Sequence, residues 1–391
     1  MAFFRRPYTG KRVGEDDPLP LAEARGFLGW WRRRPLWLRI LLISLAALAV
    51  LAAGFLITLR LMIRPPDADT PIVINQPSPS SVALPSDVAP EPTPSGAAPQ
   101  PSPSPVQEVK YEKREGVYTF LLAGLNESLA DTLIVVTLDT EAGTCHMLSV
   151  PRDTIVESAP RTVKKINSSY MQRSGIEEDD RGIPQLKKEI ATLIGYQPEY
   201  AAVVDYDGFK RLIRAVDGVD FNVPMRMYVP GEGIDLQKGM QHLNAEQALQ
   251  LVRFRVNPID KTGYDDYGRM ETQQKLLIAV AKKALANWGK IGEYIDIAKD
   301  NLTSDLNWNN MLWYAEQIAK IGMDNVEMHT LPTKTVIQPA EIPNSAHNGY
   351  YEMVLAEEAL KLINGTINPF GIPIGEELVE YTKLTETYTG G

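Results

Sequence analysis

Residues 118–150 read YTFLLAGLNESLADTLIVVTLDTEAGTCHMLSV. Three short apolar, β-branched runs stand out in this stretch: Tyr118–Gly124, Thr132–Asp139 and Thr144–Val150, the last two separated by Glu141-Ala142-Gly143. Near-continuous apolar strands bounded by turns suit a sheet covered on both faces. Ala201–Asp205 reads as a further strand. Helical periodicity appears in Pro184–Gly195, Gly208–Val216, Glu246–Leu251, Thr272–Trp288 and Asn309–Ile321, and Asn244 with Gln247 three residues on reads as a capping box opening the third. Strands alternating with helices predict an α/β sandwich. The folded domain is bounded at about residues 108–368, and 369–391 reads as a flexible tail.

Working toward the N-terminus, the composition changes. Between Pro65 and Pro105 lie 13 of the chain's 29 prolines, mixed with Ser, Ala and Thr and without Lys or Arg. Such a stretch buries too little apolar surface to fold, and residues 60–107 are expected to be an extended linker. Ile40–Leu59 carries no charge over 20 residues, the length of about 20 that a helix needs to cross a bilayer. A cleaved signal peptide has a shorter apolar run, roughly 7–15 residues, set nearer the N-terminus. Arg25, Arg32, Arg33, Arg34 and Arg39 precede the run and only Arg60 and Arg64 follow closely. This asymmetry places residues 1–39 in the cytoplasm and the rest outside, as a single-pass membrane protein.

The chemistry is bounded by scarcity. Cys145 is the single cysteine, which rules out an intramolecular disulfide or a CxxC metal site. Four histidines, at 146, 242, 329 and 347, show no zincin spacing, which argues against zinc chemistry and against a Ser-His-Asp hydrolase. There is no Walker-type glycine-rich loop for nucleotide phosphate. The 39 residues before the apolar run are too few for a helix-turn-helix module, so no nucleic-acid partner is expected.

From Glu108 onward 29 Lys and Arg face 41 Asp and Glu. Several arginines nevertheless sit at expected strand ends and a helix start. Arg152 follows Val150-Pro151. Arg253 and Arg255 alternate with Val252 and Phe254, which would put both guanidiniums on one face of a strand. Arg269 follows Gly268, with Gln273 one helical turn later. A guanidinium offers a planar fork that matches phosphate oxygens, so the set suits a pyrophosphate; the plainer alternative is that each arginine pairs with a carboxylate. Asp131, Asp265 and Asp266 lie where a carboxylate could hold magnesium or accept a proton, although capping and turn formation are the commoner uses of Asp.

These residues fall into the motif series of the LytR-CpsA-Psr family of cell-wall glycopolymer transferases, which the chain resembles over roughly 108–368. The motifs read Asp131-Thr132, Ser149-Val150-Pro151-Arg152-Asp153-Thr154, Lys165-Ile166-Asn167, Val252-Arg253-Phe254-Arg255 and Asp266-Tyr267-Gly268-Arg269, with Gln273-Gln274. The resemblance implies a three-layer α/β/α domain with a central mixed sheet and a tunnel for a polyprenyl tail. It implies that a peptidoglycan hydroxyl displaces polyprenyl phosphate from a polyprenyl-pyrophosphate-linked glycan, such as a teichoic acid or capsule polymer. By motif position Asp131 resembles a Mg2+ ligand, Asp266 the base, and Arg152, Arg253, Arg255, Arg269 and Gln273 the phosphate clamp, with Lys165 beside the substrate. Two positions depart from the family pattern. Asn126 stands where an Asp is usual, which weakens the metal site unless Glu127 substitutes, and Thr272 stands where Arg is common. A polyprenyl-pyrophosphate hydrolase and a non-enzymatic membrane regulator are the alternatives.

Overall fold

The computed structural model describes residues 110–156, 159, 163–171, 182–264, 266–337 and 349–382, together with 72–75 and a few isolated positions nearer the N-terminus. The three runs of the opening stretch become β1 (Val117–Asn126), β2 (Leu129–Asp139) and β3 (Thr144–Ser149), consecutive antiparallel neighbours. Two left-handed residues make the tight returns, Glu127 (φ 57°) between β1 and β2 and Gly143 (φ 67°) between β2 and β3. β4 (Tyr200–Val204) runs parallel to β1, the two-residue β9 (Thr303–Ser304) borders β4, and β10 (Val326–Thr330) runs parallel to β3. The sheet is mixed and six-stranded, in the order β10-β3-β2-β1-β4-β9.

Odd-numbered residues of β1 and β2, such as Leu121, Leu133 and Val135, form a core with α1 (Gly182–Ile194), which contributes Leu186, Ile190 and Leu193, and α7 (Ala356–Thr366), which contributes Ala359 and Ile363. The even-numbered face carries Tyr118, Phe120 and Leu138. There Tyr314 of α6 (Met311–Ile321) meets Phe120 edge-on at 5.0 Å between ring centroids. Helices therefore cover both faces of the sheet.

A second apolar cluster joins α2 (Tyr206–Ala215), the hairpin of β5 (Val219–Val223) and β8 (Gly239–Leu243), the small hairpin of β6 (Met227–Val229) and β7 (Ile234–Leu236), α3 (Ala245–Arg253) and α4 (Asp266–Ala286). The capping box is formed as expected: Asn244 accepts from Gln247 N at 3.0 Å and Gln247 Oε1 accepts from Asn244 N at 3.0 Å. α5 (Ile291–Asn301) packs beside α2.

Four expectations change. The Val252–Arg255 segment is not a strand: α3, propagated from its capping box, runs through Arg253 and ends at Phe254, which turns to extended geometry (φ −59°, ψ 135°) and buries its ring completely. Alternating polarity at a helix end mimics strand periodicity when the cap residue is itself a core residue. α4 starts at Asp266 rather than Thr272, because it runs through Gly268 despite glycine's low helix propensity. The chain beyond 368 is not loose as far as Val379. Phe370, Ile374, Leu378 and Val379 are buried against α1, and Gly195 (φ 86°) lets Ile374 approach within 2.6 Å of where a Cβ would stand. Within the linker, Ile72-Val73-Ile74 is apolar and β-branched and docks by main-chain bonds, Asn75 N to Gly195 O at 3.0 Å and Gln197 N to Val73 O at 2.8 Å. The Ile40–Leu59 run lies, apart from a few positions, outside the described residues; among those described, no helix is long and apolar enough to cross a membrane.

Candidate functional site

β1, β3, β4 and β10 all run in one direction, so Asn126, Arg152 and Asp205 emerge at one end of the sheet, and β2, running the other way, carries Asp131 near its start there. The ends of parallel strands are where α/β sheets form their ligand crevices. A β-bulge sharpens the placement. Gly124 pairs with Thr132 and Leu125 with Ala130, leaving Asp131 as the extra residue. Strict alternation would send Asp131 to the face of Leu133, into the α1/α7 core. The bulge instead lets its carboxylate line a cavity on the opposite face, a known use of bulges beside functional sites.

That cavity encloses about 550 Å³ between the even-numbered sheet face and α2, α3 and α4. Its depth is apolar, with Leu122, Ile134, Val204, Phe209, Leu276 and Val280 among its walls; its mouth carries Asn126, Asp131, Asp205, Arg253, Arg255, Arg269 and Gln273. The structure thus brings together five of the eight residues expected from the sequence. Arg253 and Arg255 reach the same cavity, one from the last turn of α3 and the other from the strand-like exit after Phe254.

The arginines are not equally committed. Arg152 hydrogen-bonds Asp131 at 2.8 Å, as the carboxylate-pairing alternative foresaw, and stands outside the cavity lining. Asp153 lies 3.6 Å from Arg152 and 3.0 Å from Lys165, whose ammonium sits 4.9 Å over the Tyr351 ring. Lys165 therefore touches the site through Asp153 and Arg152 rather than directly. Arg255 stands 3.8 Å from Asp131 and Arg253 3.6 Å from Glu232, both beyond hydrogen-bond distance, so neither carboxylate holds a guanidinium fork. Arg269 is 95% buried in the first turn of α4, where the helix dipole also favours an anion. Gln273, one turn on, donates to Val252 O at 3.3 Å and ties α4 to α3. Asp266 opens α4, but its side chain lies outside the described residues, as does Asp265 altogether.

Several mouth residues escaped the sequence reading. Tyr206 follows the Asp205 that caps α2 (Gly208 N to Oδ1, 2.7 Å) and lies 5.6 Å under the Arg253 guanidinium. Burial, reinforced by the Asp131 charge and opposed by Arg253 and Arg255, raises its phenol pKa and keeps it a neutral hydrogen-bond donor. The strand-to-helix junction at 205–206 was the available signal. Glu127, the suggested substitute for a second acid, is exposed in the β1–β2 turn and does not line the cavity.

A mixed sheet covered on both faces, with an apolar cavity that also carries guanidiniums in its lining, defines an α/β domain with an amphipathic pocket. The LytR_cpsA_psr family model matches residues 97–367, and the chain belongs to that family. It is 33% identical over 187 residues to the polyisoprenyl-teichoic acid–peptidoglycan teichoic acid transferase TagV of Bacillus subtilis, covering 45% of this chain and 45% of that protein. It is 31% identical over 231 residues to TagU of Bacillus mycoides, which bears the same description, covering 54% of this chain and 71% of TagU. The match thus spans less than half the length of TagV. The crystal structure of B. subtilis TagV superposes with a TM-score of 0.53 at 26% identity, covering 69% of this chain and all of that one. A structure of TagT bound to LIIa-WTA has a TM-score of 0.52, covering 66% of this chain and 92% of that one; at 19% identity it supports the fold alone.

Proposed function

We propose that this protein transfers a glycopolymer from a polyprenyl-pyrophosphate carrier to a hydroxyl of peptidoglycan, releasing polyprenyl phosphate. The observation that carries this reading is the continuity of an apolar cavity of about 550 Å³ with an arginine-rich mouth, which matches a prenyl chain followed by a pyrophosphate. The names of TagV and TagU support it, and the polymer here is a teichoic acid, capsule or similar glycan.

In this reading the acceptor oxygen attacks the glycan-side phosphorus and the bond to the bridging oxygen breaks. The electron pair leaves with polyprenyl phosphate, and the acceptor's proton passes to a base, the role assigned to Asp266. Phosphoryl transfer asks mainly for positioning and charge neutralisation. Arg253, Arg255, Arg269 and Gln273 hold the non-bridging oxygens. Arg152 orients Asp131 and Lys165 steadies Arg152 through Asp153.

Asp131, Asn126 and Asp205 supply hard oxygen donors at the mouth, the chemistry Mg2+ prefers when it binds through one or two carboxylates and substrate phosphates. Asp131 and Asp205 are the residues to hold it, and it would neutralise pyrophosphate charge. Asn126, a neutral amide, makes this a weaker site than one with a further acid. Titration with Mg2+ in the presence of a pyrophosphate analogue is expected to show weaker binding in Asp131→Ala; equal affinity would remove Asp131 from the metal role.

The direct test is to supply a synthetic lipid-linked donor with and without peptidoglycan. Polyprenyl phosphate released only with acceptor, and polymer found on peptidoglycan, is the expected result. Release at the same rate without acceptor would make the protein a hydrolase instead. We place the domain outside the cytoplasmic membrane, anchored by Ile40–Leu59. A reporter active only in the cytoplasm, fused after Gly391, should be silent; activity there would reverse the orientation.

A further inference from the structure

His146 lies on β3, and Glu327 and His329 lie on β10, the edge strand of the main sheet. The strands are parallel, with Glu327 opposite His146 and His329 opposite Leu148. Side chains opposite one another across a pair share a face, as do those two apart along a strand. Register alone therefore gathers these three. Thr137, opposite His146 on β2, donates its hydroxyl to Ile367 O at the end of α7, so the cluster belongs to the α1/α7 face, across the sheet from the cavity.

The ligating atoms converge. His146 Nδ1 is 3.4 Å from His329 Nε2, and Glu327 Oε2 is 3.6 Å from each of these two nitrogens. Hydrogen-bonded ion pairs between imidazolium and carboxylate close to about 2.7–2.9 Å, and neither contact with Glu327 does so. The triangle is almost equilateral, and its centre lies about 2.0 Å from all three atoms, against about 2.0–2.2 Å for zinc bonds to imidazole nitrogen and carboxylate oxygen.

The geometry points to a binding site for a late first-row divalent cation, Zn2+ foremost, held by His146, Glu327 and His329. Two imidazoles and one carboxylate favour such an ion over Mg2+, which takes oxygen ligands. The His side chains are 15% and 19% exposed and that of Glu327 61%, which leaves a fourth position open to water. A cation here clips the edge strand β10 to β3. Gln274 grips the same strands through their main chain, donating to Met147 O at 3.3 Å and His329 O at 3.0 Å. Gln274 sits on α4 beside Gln273, so the clip steadies the two strands against which the mouth-forming helix is braced. The site is separate from the proposed transfer chemistry, and its failure would leave that reading untouched.

The test uses the full chain in detergent, purified without a polyhistidine tag, stripped with a chelator and titrated with Zn2+ alone against a chromophoric competitor. One Zn2+ per chain is expected, with a rise in melting temperature and no displacement by equimolar Mg2+. The His146→Gln/His329→Gln double variant should lose the binding. Glu327→Gln, at an exposed position, should keep the fold and weaken binding by roughly 10- to 100-fold, the worth of one charge-assisted contact; it decides the matter should the double variant not fold. Absence of stoichiometric binding in the wild type, or unchanged affinity in either variant that folds, would overturn the site.

Discussion

Arg255→Ala is expected to lower transfer by roughly 10- to 100-fold, the worth of a charge-assisted contact to phosphate of ~1.5–3 kcal/mol, while the melting temperature stays where it is. The Arg255 side chain is 53% exposed and its nearest carboxylate oxygen, on Asp131, is 3.8 Å away, the kind of partly exposed pair that contributes about 0–1 kcal/mol to stability. Arg253→Ala should behave alike, since its side chain is 33% exposed and Glu232 stands 3.6 Å away. With both removed, losses that add in free energy would reach roughly 100- to 10,000-fold. Arg269→Ala should differ. That side chain is 95% buried, and truncating it removes packing and buried polar contacts, so melting and transfer fall together. Arg269→Lys keeps the charge but loses the planar fork and serves as the gentler probe. Transfer assays and melting curves on the same preparations check all five. Full activity in Arg253→Ala and Arg255→Ala would reduce these two to surface decoration.

The second large effect lies deeper. Ala202→Phe is expected to abolish use of a long prenyl donor while sparing a short-chain analogue. Ala202 sits on the cavity-facing side of β4, opposite Leu122 of β1, and lines the cavity among its apolar walls. A phenyl ring there projects into open volume rather than into a packed core, so the overpacking cost of ~1–3 kcal/mol should be largely avoided. Each methylene kept out of the cavity forgoes about 0.8 kcal/mol, so excluding one five-carbon unit costs on the order of 3–4 kcal/mol, or several hundred-fold in affinity. Competition between long- and short-chain donors separates this from general damage. Equal loss for both would mean that the substitution disturbs the mouth, and no loss for either would empty the cavity of its proposed lipid role.

The strands and most helices were legible because their signals are local. β1 to β4 and α1 to α3 each lie within three residues of the sequence expectation at either end, and the capping box at Asn244 fixed the start of α3. The Val252–Arg255 alternation misled for an equally local reason: period two over four residues is also what a helix end followed by a buried cap produces. The short hairpins β5/β8 and β6/β7 and the edge pairs were illegible. Strands of two to five residues carry too few alternations to rise above noise, and their pairing is decided by distant partners. Around the cavity, Arg152, Arg253, Arg255 and Arg269 were singled out because guanidiniums are conspicuous in an acidic chain; Tyr206 was not, because an aromatic at a strand-to-helix junction resembles ordinary core.

By itself, then, the sequence determined the α/β alternation, the apolar run and proline-rich stretch ahead of the domain, and which arginines are proposed for phosphate. Each is a property of composition or of spacing within a few residues. Tertiary structure alone decided three things. It decided where Asp131 points, because only the paired register of β1 and β2 creates the bulge. It decided that the apolar faces of α2 and α4 enclose a cavity rather than closing on one another, since wall and core residues are chemically identical. And it brought His146 within 3.4 Å of His329 across 183 positions of chain, which no spacing rule for metal ligands could anticipate, because the parallel pairing of β3 with the edge strand β10 is a long-range contact.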